Sequence, residues 1–240
     1  MVKFDLISDI HLDFWVEYSG NLTKMNRQLD AFIQLLLPAS PSSTLVIAGD
    51  LGHFNKQNAM MLTRLKEHYP HIVIAAGNHD YYLVSKSIKN KYKKNSFHRW
   101  AEMKRLLDPM PDVHILDGSS IVIDGIRFGG CGMWYDFQYG LQVLKADEAR
   151  IYDHWKTISN DSALIEGRLR FYYFDGSEYF GHIHNKIWCF GHVHSRMDTP
   201  AMAAGLLMLR SRWVKKEALE KESSRAQFIT IRVLDRYTIQ

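Results

Sequence analysis

Four short clusters along the chain combine residue types able to hold a divalent cation: Asp9-Ile10-His11, Gly49-Asp50, Gly77-Asn78-His79-Asp80 and Gly191-His192-Val193-His194. Carboxylate and amide oxygens are hard ligands and imidazole nitrogens borderline ones, a mixture that suits manganese, iron or zinc. Residues two apart point the same way while a backbone stays extended, so Asp9 with His11, or His192 with His194, can reach one ion. Phosphate esters resist attack because their oxygens are negative and water is a poor nucleophile. Two cations about 3.5–4 Å apart address both problems, by neutralising charge and lowering the pKa of a bridging water. Neutral Asn78 limits the negative charge around such ions and leaves room for a phosphate dianion. His79 need not be a ligand; beside the site it could donate a proton to the leaving oxygen. Asp80 offers an acceptor that could orient it. Taken alone, Gly-Asn-His-Asp is also an ordinary polar turn.

The elements that would position these residues alternate. A strand around Lys3 to Ile7 runs into Ser8-Asp9-Ile10-His11, and a helix from about Thr23 to Leu37 follows, with Leu29, Phe32, Ile33 and Leu36 at helical spacing. A strand over Thr44 to Ala48 ends at Gly49-Asp50-Leu51-Gly52-His53. A second helix, about Lys56 to His68, leads to the apolar run Ile72-Val73-Ile74-Ala75-Ala76, which stops at the Gly77 turn. Strand, helix, strand, helix, strand argues for a parallel sheet with right-handed crossovers. Its three carboxyl ends then lie side by side, where ligands of open α/β sheets bind, so Asp9, His11, Asp50, Asn78 and His79 converge. Beyond a helix at Phe97 to Leu107 and a strand at Val113 to Leu116, Ser120 to Gly129 reads as a hairpin turning on Asp124-Gly125. A second sheet begins there. Leu141 to Leu169 is helical and polar, Ile187 to Phe190 is a short strand, Trp213 to Arg225 a charged helix and Phe228 to Val233 a final strand.

Bulk properties bound the function. The 240 residues fit one domain, with 46% hydrophobic and 23% charged residues. A formal charge of +4 accommodates an anionic substrate but does not imply nucleic acid. Cys131 and Cys189 are the only cysteines, too few for a disulfide framework, which points to a reducing compartment. The N-terminal stretch enters a strand without the layout of a signal peptide, and no apolar run approaches the ~20 residues that span a bilayer. A cytoplasmic protein with no membrane partner is expected. The basic run from Lys86 to Lys94 is a solvated surface or a rim that attracts phosphate.

In this order, each after an apolar strand, Asp-x-His, Gly-Asp, Gly-Asn-His-Asp and Gly-His-x-His resemble the motif set of the calcineurin-like metallophosphoesterases, from about Val2 to His194. The resemblance implies an α/β fold, a four-layer αββα sandwich with two mixed β-sheets, and a dinuclear metal centre hydrolysing a phosphomonoester or phosphodiester. Carried onto matching positions, one ion is held by Asp9, His11, Asp50 and His194. The second is held by Asp50 as a bridge, Asn78 and His192. His79 becomes the catalytic histidine beside the phosphate, with Asp80 hydrogen-bonded to it. The cofactors implied are two divalent metal ions (Mn, Fe or Zn), and the partner a phosphorylated small molecule or nucleotide. Nucleic acid is open as a substrate but not indicated.

One departure stands out. Family members supply a further histidine to the second ion from a strand end upstream of Gly-His-x-His, whereas the interval from Phe137 to Ile187 has no apolar strand ending in histidine and looks short. His154, His182 and His184 are the histidines in it. A degenerate member with an incomplete metal site, acting as a binding or regulatory protein, is therefore the alternative to an active phosphoesterase. A closed structural zinc site fits poorly, since that calls for a thiolate set. Loops at Asp13 to Asn21, Tyr81 to Ser96 and Trp134 to Gln142 would wall the pocket, with Trp15, Tyr18, Tyr81, Tyr82 and Trp134 available to stack on a base.

Overall fold

A computed structural model describes residues 2–132, 141, 144–167, 186–191, 206–208 and 235–239. Strands β1 (Val2–Ile7), β2 (Thr44–Ala48), β3 (His71–Ala75) and β4 (Val113–Leu116) form a parallel sheet in the order β4-β3-β2-β1. A further strand, β9 (Asp235–Ile239), runs antiparallel beside β1. It lies beyond the final strand expected at Phe228 to Val233, which falls outside the described residues. The second sheet has the order β5 (Ser119–Ile123), β6 (Ile126–Gly132), β7 (Lys186–Gly191), β8 (Leu206–Met208). Its β5–β6 pair is the expected antiparallel hairpin, and β6, β7 and β8 are parallel. Both sheets are therefore mixed, as expected.

The apolar runs of β2 and β3 are continuous because both faces of their sheet are buried. Alternate residues Phe4, Leu6, Val46, Ala48, Val73 and Ala75 join Ile123, Ile126 and Phe128 of the second sheet in one core. Phe4 meets Phe128 edge to face, with centroids 5.8 Å apart, a geometry aromatic quadrupoles favour. On the opposite face Ile7, Leu45, Ile47, Ile72 and Ile74 pack under the helices α1 (Leu22–Leu36), α2 (Asn55–Leu65) and α4 (Ser96–Leu107). Asn21 caps α1 by accepting the backbone N–H of Lys24, and Asn95 caps α4 by accepting that of Phe97. The basic run folds in part as α3 (Lys86–Lys91), with Lys89 paired to Glu166 and Lys91 to Glu102. Helices α5 (Glu148–Ile158) and α6 (Asp161–Leu164) follow the second sheet's first hairpin. No helix among the described residues is long and apolar enough to cross a membrane.

Candidate metal centre

Register aligns the ends of the three central strands: Ile7 lies opposite Ile47, and Ala48 opposite Ala75. The loops that follow are held together by main-chain bonds. Asp9 N–H donates to the Gly49 carbonyl, His11 N–H to Asp50 and Leu12 N–H to Leu51. This extends the pairing past the sheet and holds Asp9, His11 and Asp50 at φ of 52°, 44° and 58°. The left-handed region costs an L-residue roughly 1–2 kcal/mol. Strain that survives because its surroundings determine it is a mark of functional sites, and here it falls on three expected ligands.

Three of the side chains expected to converge come together. His11, Asp50 and His79 each present a ligand atom within 4.8 Å of the others. His11 Nε2 stands 4.0 Å from Asp50 Oδ2, beyond hydrogen-bond range. Metal bonds of about 2.0–2.2 Å place two ligands of one ion about 3–4 Å apart, so this separation suits an ion between them. Ser8 Oγ donates to Asp9 Oδ2. The amide of Asn78 donates to Asp161 Oδ1 and to the Tyr82 hydroxyl, each at 2.8 Å. A carboxylate only accepts, so the bond to Asp161 fixes which end of the amide is nitrogen and leaves Oδ1 for a cation.

The electrostatics point the same way. Burial first, then the Asp80 and Asp9 carboxylates, push the Asp50 carboxyl well above its usual range. Burial lowers the His11 imidazole against the opposing pull of Asp9, Asp13 and Asp80. For His79 burial, His11 and His53 together lower the pKa to about 3. Crowded carboxylates beside neutral imidazoles make an environment short of positive charge, and the buried Nδ1 atoms of His11 and His79 have no hydrogen-bond partner. The donor set fits divalent metal.

One expectation changes. Asp80 does not bond the His79 ring: its carboxylate accepts backbone N–H groups from Gly77 at 2.8 Å, Asp50 at 2.9 Å and Leu51 at 3.0 Å. A buried carboxylate satisfies loop amides more completely than it could a single imidazole, and here it draws the β2 and β3 loops together. With its pKa held near 3, the His79 ring favours the neutral form, which can donate a hydrogen bond. Its backbone N–H donates to Asp50 Oδ1 at 2.9 Å.

Sequence reasoning missed several supporting residues. Arg99, fully buried on α4, donates to the carbonyls of His79, Tyr82 and Gly52, so one guanidinium spans both ligand-bearing loops. Asp13 accepts the backbone N–H of His53 at 2.9 Å and the His53 Nδ1–H at 3.0 Å. Burial raises the Asp13 carboxyl, but the bonds from His53 outweigh it and hold the group below its usual range. The His53 ring lies parallel to His79 with centroids 5.7 Å apart. Asp13 could have been found from its place two residues after His11. Arg99 and Asp161 left no local signal.

Of the aromatics expected to wall the pocket, Trp15 stacks on Phe32 in the core and Tyr81 packs against Trp100. Tyr82 lies against the His79 ring at 4.3 Å. Tyr18 stacks on Phe54 and stays half exposed. His154 is exposed on α5, away from any ligand role suggested by burial. Trp134, His182, His184, His192 and His194 lie outside the described residues.

The sequence profile of the calcineurin-like phosphoesterases matches residues 2–196. None of the curated proteins compared matches the chain. Among solved structures, phosphopantetheinyl hydrolase from Mycobacterium tuberculosis aligns with a TM-score of 0.49 and 14% identity, over 78% of this chain and 67% of that one.

Proposed function

Because this chain belongs to the calcineurin-like phosphoesterase family, we propose that it is a metal-dependent hydrolase of a phosphomonoester or phosphodiester, working through two divalent ions. The observation that carries this reading is the meeting of His11, Asp50 and His79 at the joined carboxyl ends of three parallel strands. Asp9, His11 and Asp50 would hold one ion with His194; Asp50, Asn78 and His192 would hold the other. When bound, the ions supply neutralisation of the phosphate's charge and acidification of the attacking water. The chain's own part is positioning. Asp80 and Arg99 hold the two loops together, with Asp50 facing His11 and accepting the His79 N–H. Asp161 turns the Asn78 oxygen inward. His79 donates a hydrogen bond from a neutral ring to a phosphoryl oxygen, and buried walls keep the site's dielectric low, which strengthens each of these interactions.

Turnover of a monoester and a diester of p-nitrophenol, with and without manganese, tests the proposal. Manganese-dependent release of p-nitrophenol that disappears in Asp50→Asn is expected. Binding of one ion or none, without turnover of either class, would favour the degenerate alternative with an incomplete metal site.

A further inference from the structure

A second group of potential ligands lies at the opposite end of the first sheet, where β3 and β4 begin. Ile72 pairs with Val113 and Val73 with His114, which puts Asp112 beside His71 across the strand boundary. Asp112, just before β4 and at a φ of 59°, and His114 on the strand flank the start of β3. His71 Nδ1 is 3.7 Å from Asp112 Oδ1, and one ligand atom from each of His71, Asp112 and His114 lies within 4.8 Å of the other two. Four residues of strand at about 3.3 Å each separate His71 from Ala75, roughly 13 Å, so this group shares nothing with the centre at the carboxyl ends.

An ordinary surface ion pair explains the arrangement poorly. The 3.7 Å gap is too long for a hydrogen bond. His71 Nδ1 is buried and has no hydrogen-bond partner, an unmet need that an ion pair at this distance leaves in place.

Two imidazoles and one carboxylate, with an outward position left to water, select a late first-row divalent ion over magnesium or calcium. Zinc bonds of about 2.0–2.2 Å set tetrahedral ligands about 3.3 Å apart, so modest side-chain rotation on the outer strand closes the gaps. We propose that His71, Asp112 and His114 form a zinc site at the amino end of the sheet, distinct from the phosphoesterase centre, that clamps the outer strand β4 to β3. Such a clamp covers the unpaired end of an edge strand, where fraying starts.

The test uses the full chain stripped of metal and titrated with zinc in competition with a chromophoric chelator. His114→Ala and Asp112→Asn should each bind one zinc fewer than the parent, and the zinc-induced rise in Tm should shrink in both. Far-UV circular dichroism in chelator, where all three proteins should coincide, shows that the loss is of a ligand and not of the fold. Asp112 is exposed, so its variant decides the matter if His114→Ala folds poorly. Equal zinc stoichiometry in the parent and a folded variant overturns the proposal. That outcome leaves the phosphoesterase reading intact, because neither residue belongs to that centre.

Discussion

The Asp80 carboxylate accepts the backbone N–H of Asp50 at 2.9 Å, a bond across thirty residues of sequence that sets the end of β2 against the end of β3. The second oxygen takes Leu51, and Gly77 shares the first. Asp50 in turn accepts the His79 N–H, so the two loops hold each other by reciprocal bonds. Asp50 is thereby oriented from behind, by a residue that need not touch metal or substrate.

Replacing Asp80 by asparagine tests this directly. The amide keeps one acceptor and turns a donor toward a loop N–H, leaving a buried group unmatched at a cost of about 1–3 kcal/mol. The denaturant midpoint should fall, and manganese affinity should fall with it because Asp50 loses its support. A variant with the parent's midpoint and the parent's affinity would contradict the role.

Gly77 marks the same junction from the other side. A Cβ built there would sit 2.1 Å from Asp50 Oδ1 and 2.8 Å from the Asp50 nitrogen, closer than any real contact. Neither backbone nor bonded carboxylate can give that much without moving the ligand. Gly77→Ala should therefore keep its helices by circular dichroism but bind at least one ion fewer per chain, as elemental analysis after manganese saturation and removal of free ion would show. Retention of the parent's metal content would mean that the loop adapts.

Periodicity and turn chemistry account for what was legible beforehand. The runs at Thr44 to Ala48 and Ile72 to Ala76 announce buried strands because both faces are covered, and polar residues right after them announce a crevice. His11, Asp50 and His79 could be brought together from that alone. What stayed hidden depends on distance in the fold: Arg99 reaches its three carbonyls from α4, and Asp161 reaches Asn78 across 83 residues. Asp80 was misassigned because adjacency to His79 suggested a contact that the tight turn does not make. The pairing of Asp235–Ile239 with β1 went unread because that segment alternates polar and apolar residues without a clear apolar run.

Metal should stabilise this fold, and more so as pH rises. Burial, Asp80 and Asp9 raise the folded-state pKa of Asp50 above its unfolded value. Such a group gives stability below the unfolded pKa that is lost as pH climbs through the folded one, so the metal-free protein accumulates uncompensated buried charge toward neutrality. The histidines act in the opposite sense. With His79 at about 3 and His11 lowered, the unfolded chain takes up protons first as pH falls below 6.5, which destabilises the fold on the acid side. Cations bind the deprotonated ligands, so the rise in Tm on adding manganese should be larger at about pH 7.5 than at about pH 5.5. Thermal melts with manganese or chelator at both values check this, and an increment that shrinks with pH would refute it.

The neutrality of His79 separates two roles that a simple alanine substitution would confuse. As a hydrogen-bond donor to a phosphoryl oxygen, it stabilises charge whatever group departs, and its removal should lower kcat by about 10²–10³-fold. As a proton donor to the leaving oxygen, it would matter most when that oxygen is basic. Phenyl phosphate and p-nitrophenyl phosphate differ in that property while sharing shape and charge. His79→Ala should reduce turnover of the two by similar factors, with metal content unchanged, and His79→Gln, which keeps an N–H donor, should recover part of the rate. A loss clearly steeper for phenyl phosphate would instead show that bound phosphate raises the imidazole far enough for it to hand over its proton.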